Sequence, residues 1–269
     1  MIFVKVVAIS IVFSVLFATS IAPRLHPLVR AIPQSPSPST VPTQAGPSLD
    51  GVGTLSGTCG SFGDNCELLS TTRPKDVVIA FIIGCYSCVL TPAVDSQGLL
   101  TFSERAVSCY PSGSFGGCIR EFYALANSPL DNDNISFVSN GNGFAGITVF
   151  GISGANSRNV FDALLPVSQP CRPYVDTGTP SICGISFTVS TVSRNEFLFG
   201  VASINDGETC TLSPWTSVQN IGVRVELDSQ SANTSSQQNY SFGCPNPTAD
   251  WTMVMVDGIQ GHASAPPHP

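Results

Sequence analysis

Apolar and polar residues alternate with a period of two over much of the chain after residue 54. In the stretch GISFTVS (184–190), Ile185, Phe187 and Val189 fall on one side, with serine and threonine on the other. The stretch IGVRVELD (221–228) alternates in the same way, with its charged residues on the opposite side from its aliphatic ones. Period two is the spacing of a β-strand with one buried face, so both stretches are predicted strands.

The stretch DVVIAFIIG (76–84) is different, because it is a continuous apolar run that suits a strand buried on both faces. Turn-forming sequences such as SPLDND, SNGNG, SGANS and INDGE separate the apolar stretches. Further strands are predicted over five ranges, 119–126, 134–138, 144–152, 196–204 and 250–259. About ten strands without helical periodicity predict an all-β fold, an antiparallel, jelly-roll-like β-sandwich. Two longer inserts, 153–182 and 205–219, are predicted to hold short helices or ordered loop.

The composition agrees with a strand-rich, exported body. Charged residues make up 11% of the 269 residues, against about 25% in ordinary soluble domains, while glycine (24) and proline (21) are abundant. The net charge is −7, and Lys75 is the sole lysine after residue 5. Nucleic acid is therefore not an expected partner, because its binding needs a cationic surface.

The N-terminal segment of the chain predicts export. Residues 1–22 combine a lysine with an apolar stretch and read as a signal peptide or an N-terminal membrane anchor. Residues 23–53 form a Pro-rich linker or stalk, 54–260 the β-sandwich domain, and 261–269 a flexible tail. The predicted location is extracellular or at the cell surface, with membrane contact only through an uncleaved N-terminal segment.

Ten cysteines follow the N-terminal segment, an even number that suits an oxidising compartment. The pair in CYSC ends an apolar run, but a proline and a turn follow it instead of the helix that a redox C-x-x-C needs. No second C-x-x-C is present for zinc. Pairing of nearest neighbours predicts the disulfides Cys59–Cys66, Cys85–Cys88, Cys109–Cys118, Cys171–Cys183 and Cys210–Cys244.

Catalytic chemistry has few candidates in the sequence. The histidines are His26, His262 and His268, all in predicted tails, which argues against serine, cysteine and zinc catalysis in the body. A carboxylate-based glycoside hydrolase needs two flanking acids, for which the candidates are Glu104, Glu121, Asp162 and Glu196.

Binding sites have weak candidates too. Asp131 and Asp133 lie in LDNDNIS (130–136), where they would either ligate a possible Ca²⁺ or stabilise a tight turn. Trp215 and Tyr86 are candidate sugar-stacking side chains, and no other cofactor is expected. Three N-glycosylation triplets place candidate acceptors at Asn134, Asn233 and Asn239.

The order of the predicted strands, including FAGITVFGISGANSRNVFDALLPV and DWTMVMVDGI, resembles a widespread class of β-sandwich domains in exported and phage-associated proteins of bacteria and archaea. In that class a strand ends in a Gly-rich turn followed by an Asn/Pro-Phe-Asp-like segment, here SGAN and then Phe161-Asp162. The resemblance covers about 76–260 and implies a sandwich outside the cytoplasm, with no active-site motif. The cysteines and the insert 171–183 depart from the pattern.

These observations lead to one functional expectation with three alternatives. We expect a non-enzymatic, exported structural or adhesive module of the cell surface, with surface glycans or proteins as possible partners. The alternatives are a carbohydrate-binding domain that uses loop aromatics with or without Ca²⁺, a carboxylate glycoside hydrolase, and a filament subunit assembled by strand donation.

Overall fold

The computed structural model describes residues 46–55, 65–85, 90–110, 117–140, 145–171, 184–193, 195–204, 211–213, 215–221, 225–232, 237–243 and 252–262. All of them belong to one compact unit, Thr43–Pro269. The predicted signal or anchor, the first part of the stalk and the end of the tail lie outside these ranges. No helix within the ranges is long and apolar enough to cross a membrane.

Every regular element in the described residues is a β-strand, so the predicted all-β class is confirmed. The described residues contain seventeen strands, which is more than the sequence predicted, since several of them are too short to give a clear pattern. They are β1 Ser48–Val52, β2 Thr54–Leu55, β3 Cys66–Leu69, β4 Asp76–Cys85, β5 Val94–Asp95, β6 Ser103–Tyr110, β7 Gly117–Ala126, β8 Asp133–Ser136, β9 Ala145–Ser153, β10 Val167–Cys171, β11 Gly184–Ser190, β12 Glu196–Ile204, β13 Thr211–Ser213, β14 Thr216–Ile221, β15 Val225–Ala232, β16 Gln237–Gly243 and β17 Thr252–Gln260.

The strands form four antiparallel sheets. The central sheet has the order β1-β9-β4-β7-β6, and the outer sheet has the order β10-β17-β12-β15-β14. A cover sheet has the order β2-β3-β8-β5, and a small sheet has the order β11-β16-β13. The central and outer sheets share one hydrophobic core, to which β4, β7, β9, β12, β15 and β17 contribute, and they make up the predicted sandwich.

Three phenylalanines occupy the middle of that first core. The ring of Phe199 on β12 lies 5.1 Å from Phe150 on β9 and 5.9 Å from Phe81 on β4, both in edge-to-face contact. All three side chains are fully buried. Aromatic pairs in this geometry add to the stabilisation that burial alone gives, so they tie the two sheets together.

A second core lies on the opposite face of the central sheet, against the cover sheet. Val78, Ala80 and Ile82 of β4 point into this second core, with β3, β7, β8 and β9 residues around them. Ile79 and Phe81 of the same strand point into the first core. The prediction that this apolar run is a strand buried on both faces is confirmed, and the central sheet is the middle one of three layers.

The folded body begins earlier than the predicted boundary at residue 54. Strand β1, Ser48–Val52, falls inside the predicted linker and pairs with β9. Leu49 packs against the first core, and the Asp50 carboxylate accepts hydrogen bonds from the amide and hydroxyl of Thr72. These contacts hold the segment against the sheet although prolines precede it.

The two longer inserts contain strands rather than helices where the structure describes them. Strand β10 lies within 153–182, and β13 and most of β14 lie within 205–219. Both β10 and β14 are edge strands of the outer sheet, and the sequence pattern of such short strands is weak.

The disulfide Cys109–Cys118 is present as predicted, and it joins directly paired positions of β6 and β7. Cys66 is also disulfide-bonded. The other predicted pairs have at least one member whose side chain lies outside the described residues, so they stay predictions. They are Cys59–Cys66, Cys85–Cys88, Cys171–Cys183 and Cys210–Cys244.

Candidate functional site

Seven carboxyl groups of the described residues are buried, with at most 1% of each residue exposed. An isolated charge in a protein interior is very costly, so each such group needs a partner, a proton or a role. The seven are the strongest candidates for functional chemistry in the described residues. They are Glu67, Asp76, Glu121, Asp133, Asp162, Glu196 and Asp257.

One group of buried acids crosses from the central sheet to the outer sheet. Strand alternation directs Glu121 to the same face of β7 as the core residue Ile119, and Asp257 to the same face of β17 as the core residue Met255. Among the described residues, no N–H or hydroxyl group donates to either oxygen of Glu121, whose carboxyl lies close enough to that of Asp257 to share a proton with it. Arg105 Nε on edge strand β6 donates to Asp257 Oδ2 at 3.1 Å.

The proton in this pair resides on Glu121. Burial raises the pKa of Glu121 well above its ordinary value, and the neighbouring charge of Asp257 raises it further. Burial also raises the pKa of Asp257, to about 6, although the Arg105 guanidinium opposes the shift. Around neutral pH, the protonated Glu121 therefore donates to an ionised Asp257, which Arg105 neutralises.

Arg105 reaches further than its ion pair. Its Nη2 donates to the carbonyl oxygen of Leu165 at 2.5 Å, and its guanidinium lies 4.4 Å from the ring centroid of Phe161. Phe161 in turn makes an edge-to-face contact with Tyr123 at 4.9 Å. Arg105, on edge strand β6 of the central sheet, thus contacts both the segment before β10 and strand β17 of the outer sheet.

A second carboxyl pair involves the Phe-Asp segment that the sequence analysis singled out. Asp162 accepts hydrogen bonds from the Leu164 amide at 2.6 Å and the Val192 amide at 2.7 Å. Glu196, at the start of β12, is hydrogen-bonded to Asp162 and accepts from the Ser193 amide at 2.9 Å. Burial raises the pKa of Glu196 to about 7, and Asp162 contributes to the rise.

A third pair joins β1 to the start of β4. Burial raises the pKa of Asp76 to about 7, and its hydrogen bond to Asp50 adds to the shift. Partial burial works in the raising direction on Asp50 too, but hydrogen bonds from Asp76, Thr72 and Arg73 outweigh it and lower the pKa of Asp50. The shared proton therefore stays on Asp76.

Glu67 has an amide partner instead of a second acid. Its Oε1 accepts from Gln219 Nε2 at 2.8 Å, and its Oε2 accepts from the Val149 amide at 2.8 Å. Burial raises the pKa of Glu67 to about 7, against the effect of both hydrogen bonds. Thr148 Oγ1 donates to Gln219 Oε1 at 2.5 Å, so β3, β9 and β14 meet at this point.

The four acids proposed for glycoside hydrolysis do not form one site. Glu104 pairs with Arg120 at 2.5 Å, and Glu121 contacts Asp257. Asp162 and Glu196 are brought together, but they bond directly to each other. Glycosidase carboxyls stand at least about 5 Å apart to admit the scissile bond or a water molecule, so this pair has the wrong geometry.

The possible calcium ligands Asp131 and Asp133 have separate hydrogen-bond partners. Asp131 Oδ1 accepts from the Asn132 side chain at 3.0 Å, and Asp133 Oδ1 accepts from Ser96 Oγ at 3.1 Å. Asn132 has a φ of 48°, which is typical of asparagine in a tight turn. In the part of the chain that the structure describes, no group of three or more His, Cys, Asp or Glu residues could hold a metal ion.

Trp215 is buried, with 7% of its surface exposed, and this placement does not offer the open ring face that sugar stacking needs. Tyr86 and Asn233 lie outside the described residues. Asn134 is half-buried in β8, and Asn239 lies in β16. Glycosylation therefore stays a prediction at all three asparagines.

Sequence reasoning missed Glu67, Asp257 and Gln219. The available signal for Asp257 was its spacing, because it continues the series Met253, Met255 on the face predicted to be buried. Glu67 and Gln219 lie in strands that were not predicted, so no periodicity pointed to them.

The fold and these sites define an all-β antiparallel sandwich with the cover sheet as a third layer and with internal carboxyl pairs. Comparisons of the chain with protein-family models, with curated proteins and with solved structures found no match. The resemblance to exported and phage-associated sandwich domains therefore stays a prediction.

Proposed function

We propose that the chain is an exported, non-enzymatic structural or adhesive module of the cell surface, carried on a Pro-rich stalk. The observation that supports this most is the position of the buried carboxyl groups. They link β1 to β4, β7 to β17, and the segment before β10 to β12. Acids used in this way help to fix which strands and segments lie together, and their burial keeps them out of reach of a substrate.

A structural role also explains the polar contacts of these acids. Asp50 accepts hydrogen bonds from two backbone amides, and Asp162 accepts from two others. Carboxylates that satisfy backbone donors fix the loops in which those donors lie. A module that bears load outside the cell benefits from loops that are fixed to the sheets.

Export is supported by the disulfide chemistry together with the N-terminal sequence. Cys109–Cys118 joins adjacent strands, Cys66 is also bonded, and there is no free cysteine among the described residues. Structural disulfides persist mainly in oxidising compartments.

Cell fractionation combined with protease shaving of intact cells tests this proposal. The full chain is expected in the envelope or medium and to be cut at the Pro-rich segment by added protease. A variant that lacks residues 1–22 is the matched control and is expected to remain inside and protected. An exclusively cytosolic full-length chain, or glycan hydrolysis that disappears in Glu196→Gln, would contradict the proposal.

A further inference from the structure

The contact between Thr148, Gln219 and Glu67 has the components of an acyl-transfer site. The three groups are hydrogen-bonded in series. Thr148 Oγ1 donates to Gln219 Oε1 at 2.5 Å, and Gln219 Nε2 donates to Glu67 Oε1 at 2.8 Å. Thr148 and Glu67 are fully buried, and Gln219 is half-buried. We call these three residues the Thr–Gln–Glu cluster.

The backbone around the cluster is built to allow this contact. Strand β1 ends at Val52, so it does not pair with β9 beyond that point. There the Val149 amide of β9 donates to the carboxyl group of Glu67 instead. A side chain at Gly53 would not fit, because its Cβ would lie 2.1 Å from Glu67 Oε2. The pairing of β14 with β15 shifts register between Ser217 and Gln219, and such a bulge redirects the following side chain.

The amide of Gln219 is held in one orientation. Its Nε2 donates both to Glu67 and to the carbonyl oxygen of Gly53, at 2.9 Å, while its Oε1 accepts from Thr148. The hydroxyl therefore lies at the carbonyl oxygen of Gln219, and the leaving nitrogen lies at the carboxyl group of Glu67. The cluster thus brings together the nucleophile, acyl group and proton carrier of an intramolecular acyl transfer, which starts when the hydroxyl oxygen moves from the carbonyl oxygen to the carbonyl carbon.

We propose that Thr148 and Gln219 form an intramolecular ester cross-link, with Glu67 as the proton carrier and ammonia as the product. The bond between Thr148 Oγ1 and Gln219 Cδ forms, and the Cδ–Nε2 bond breaks. The hydroxyl proton of Thr148 passes to Gln219 Oε1 as Thr148 Oγ1 adds to Gln219 Cδ. Protonated Glu67 gives its proton to Gln219 Nε2 as ammonia leaves. The carboxylate of Glu67 then takes up the proton carried by Gln219 Oε1, and the ester carbonyl forms.

The surroundings favour the reaction and protect its product. Holding the two groups in contact replaces a bimolecular encounter, which is worth a large effective concentration. The pKa of Glu67, raised by burial to about 7, leaves both of its protonation states populated around neutral pH. Burial of Thr148 shields the Thr148 side of the ester from water.

The cross-link would tie the central sheet to the outer sheet. Thr148 lies on β9 and Gln219 on edge strand β14, 71 positions apart in the chain. Such a bond would prevent the two sheets from separating under tension. The inference does not depend on export, since it rests only on atoms inside the folded body.

Intact-mass measurement of the purified full chain tests the cross-link. After reduction and alkylation, the wild-type mass is expected to be lower by one ammonia than its sequence requires. Peptide mapping should place the loss on a linked pair of peptides that carry Thr148 and Gln219. Hydroxylamine, which cleaves esters but not ordinary amides under mild conditions, should separate the pair.

Matched variants identify the residues that do the chemistry. Thr148→Ser keeps a hydroxyl and is expected to retain the ammonia loss, whereas Thr148→Val is expected to abolish it. Glu67→Gln is expected to slow it at least tenfold. A folded wild-type chain that keeps its full mass after prolonged incubation at neutral pH would overturn the proposal, as would an ammonia loss that persists in Thr148→Val.

Discussion

Replacement of Glu196 by glutamine should make the protein's stability less dependent on pH. Glu196 is 1% exposed, and burial raises its pKa to about 7 from an ordinary value of 4.5. A glutamine has the same shape, can donate to Asp162 as the protonated acid does, and cannot ionise. The variant therefore resembles the wild type in acid and differs from it at higher pH.

The direction of this pH dependence follows from whether the folded or the unfolded chain holds the Glu196 proton more tightly. Below about pH 4.5, Glu196 is protonated in both the folded and the unfolded chain, so its full stabilising contribution is present. As the pH rises to about 7, the unfolded chain releases this proton before the folded chain does, and the contribution is lost. Each pKa unit is worth about 1.4 kcal/mol, so the loss amounts to about 3 kcal/mol.

Urea unfolding followed by tryptophan fluorescence, at several values between about pH 4 and about pH 8, measures the effect. The free energy of unfolding of Glu196→Gln minus that of the wild type should increase by about 3 kcal/mol across this range. Glu104→Gln, at a carboxyl that is one-third exposed and paired with Arg120, is the matched control for loss of one acid. Parallel pH profiles for wild type and Glu196→Gln would refute the reasoning.

Three further variants test the packing, the ion pair and the disulfide, each by urea unfolding. Phe199→Ala empties the middle of the first core and should lower the free energy of unfolding by about 3–5 kcal/mol; a loss below about 1 kcal/mol would contradict the proposed packing. Arg105→Met leaves the buried Asp257 without its cation. It should lower the free energy of unfolding by about 3 kcal/mol at neutral pH and by less below about pH 5. An equal loss at both pH values would argue against an ionised Asp257. Serine at both Cys109 and Cys118 should cost about 2 kcal/mol, and an unchanged midpoint would show that this bond adds nothing.

The sequence predicted the central and outer sheets better than the cover sheet. An uninterrupted apolar run is an unambiguous pattern, and it identified β4 and its burial on both faces. Alternation identified β11 and β17 for the same reason. The prediction of one strand over 221–228 is wrong, because Ile221 ends β14 and is paired with Val225 at the start of β15. Strands β2, β3 and β5 are two to four residues long, which is too short for a period to show.

The carboxyl pairs could not be predicted as pairs. Alternation assigns a polar residue to the solvent face by default, yet Asp257 and Glu121 lie on faces that point into the first core. Their contact depends on how β7 and β17 meet across two sheets, which no local pattern encodes. Asp162 and Glu196 were named as acids able to meet, but their direct hydrogen bond follows only from the packing of the segment before β10.

Carbon-13 NMR of labelled Asp and Glu carboxyl groups tests most directly whether buried, proton-sharing acids join the sheets. Asp257 should titrate near pH 6, and Glu67, Asp76 and Glu196 near pH 7, with Glu121 still protonated at that point. If every carboxyl carbon of the folded protein instead titrated near pH 4, as exposed acids do, the proposed joins between strands and sheets would be contradicted.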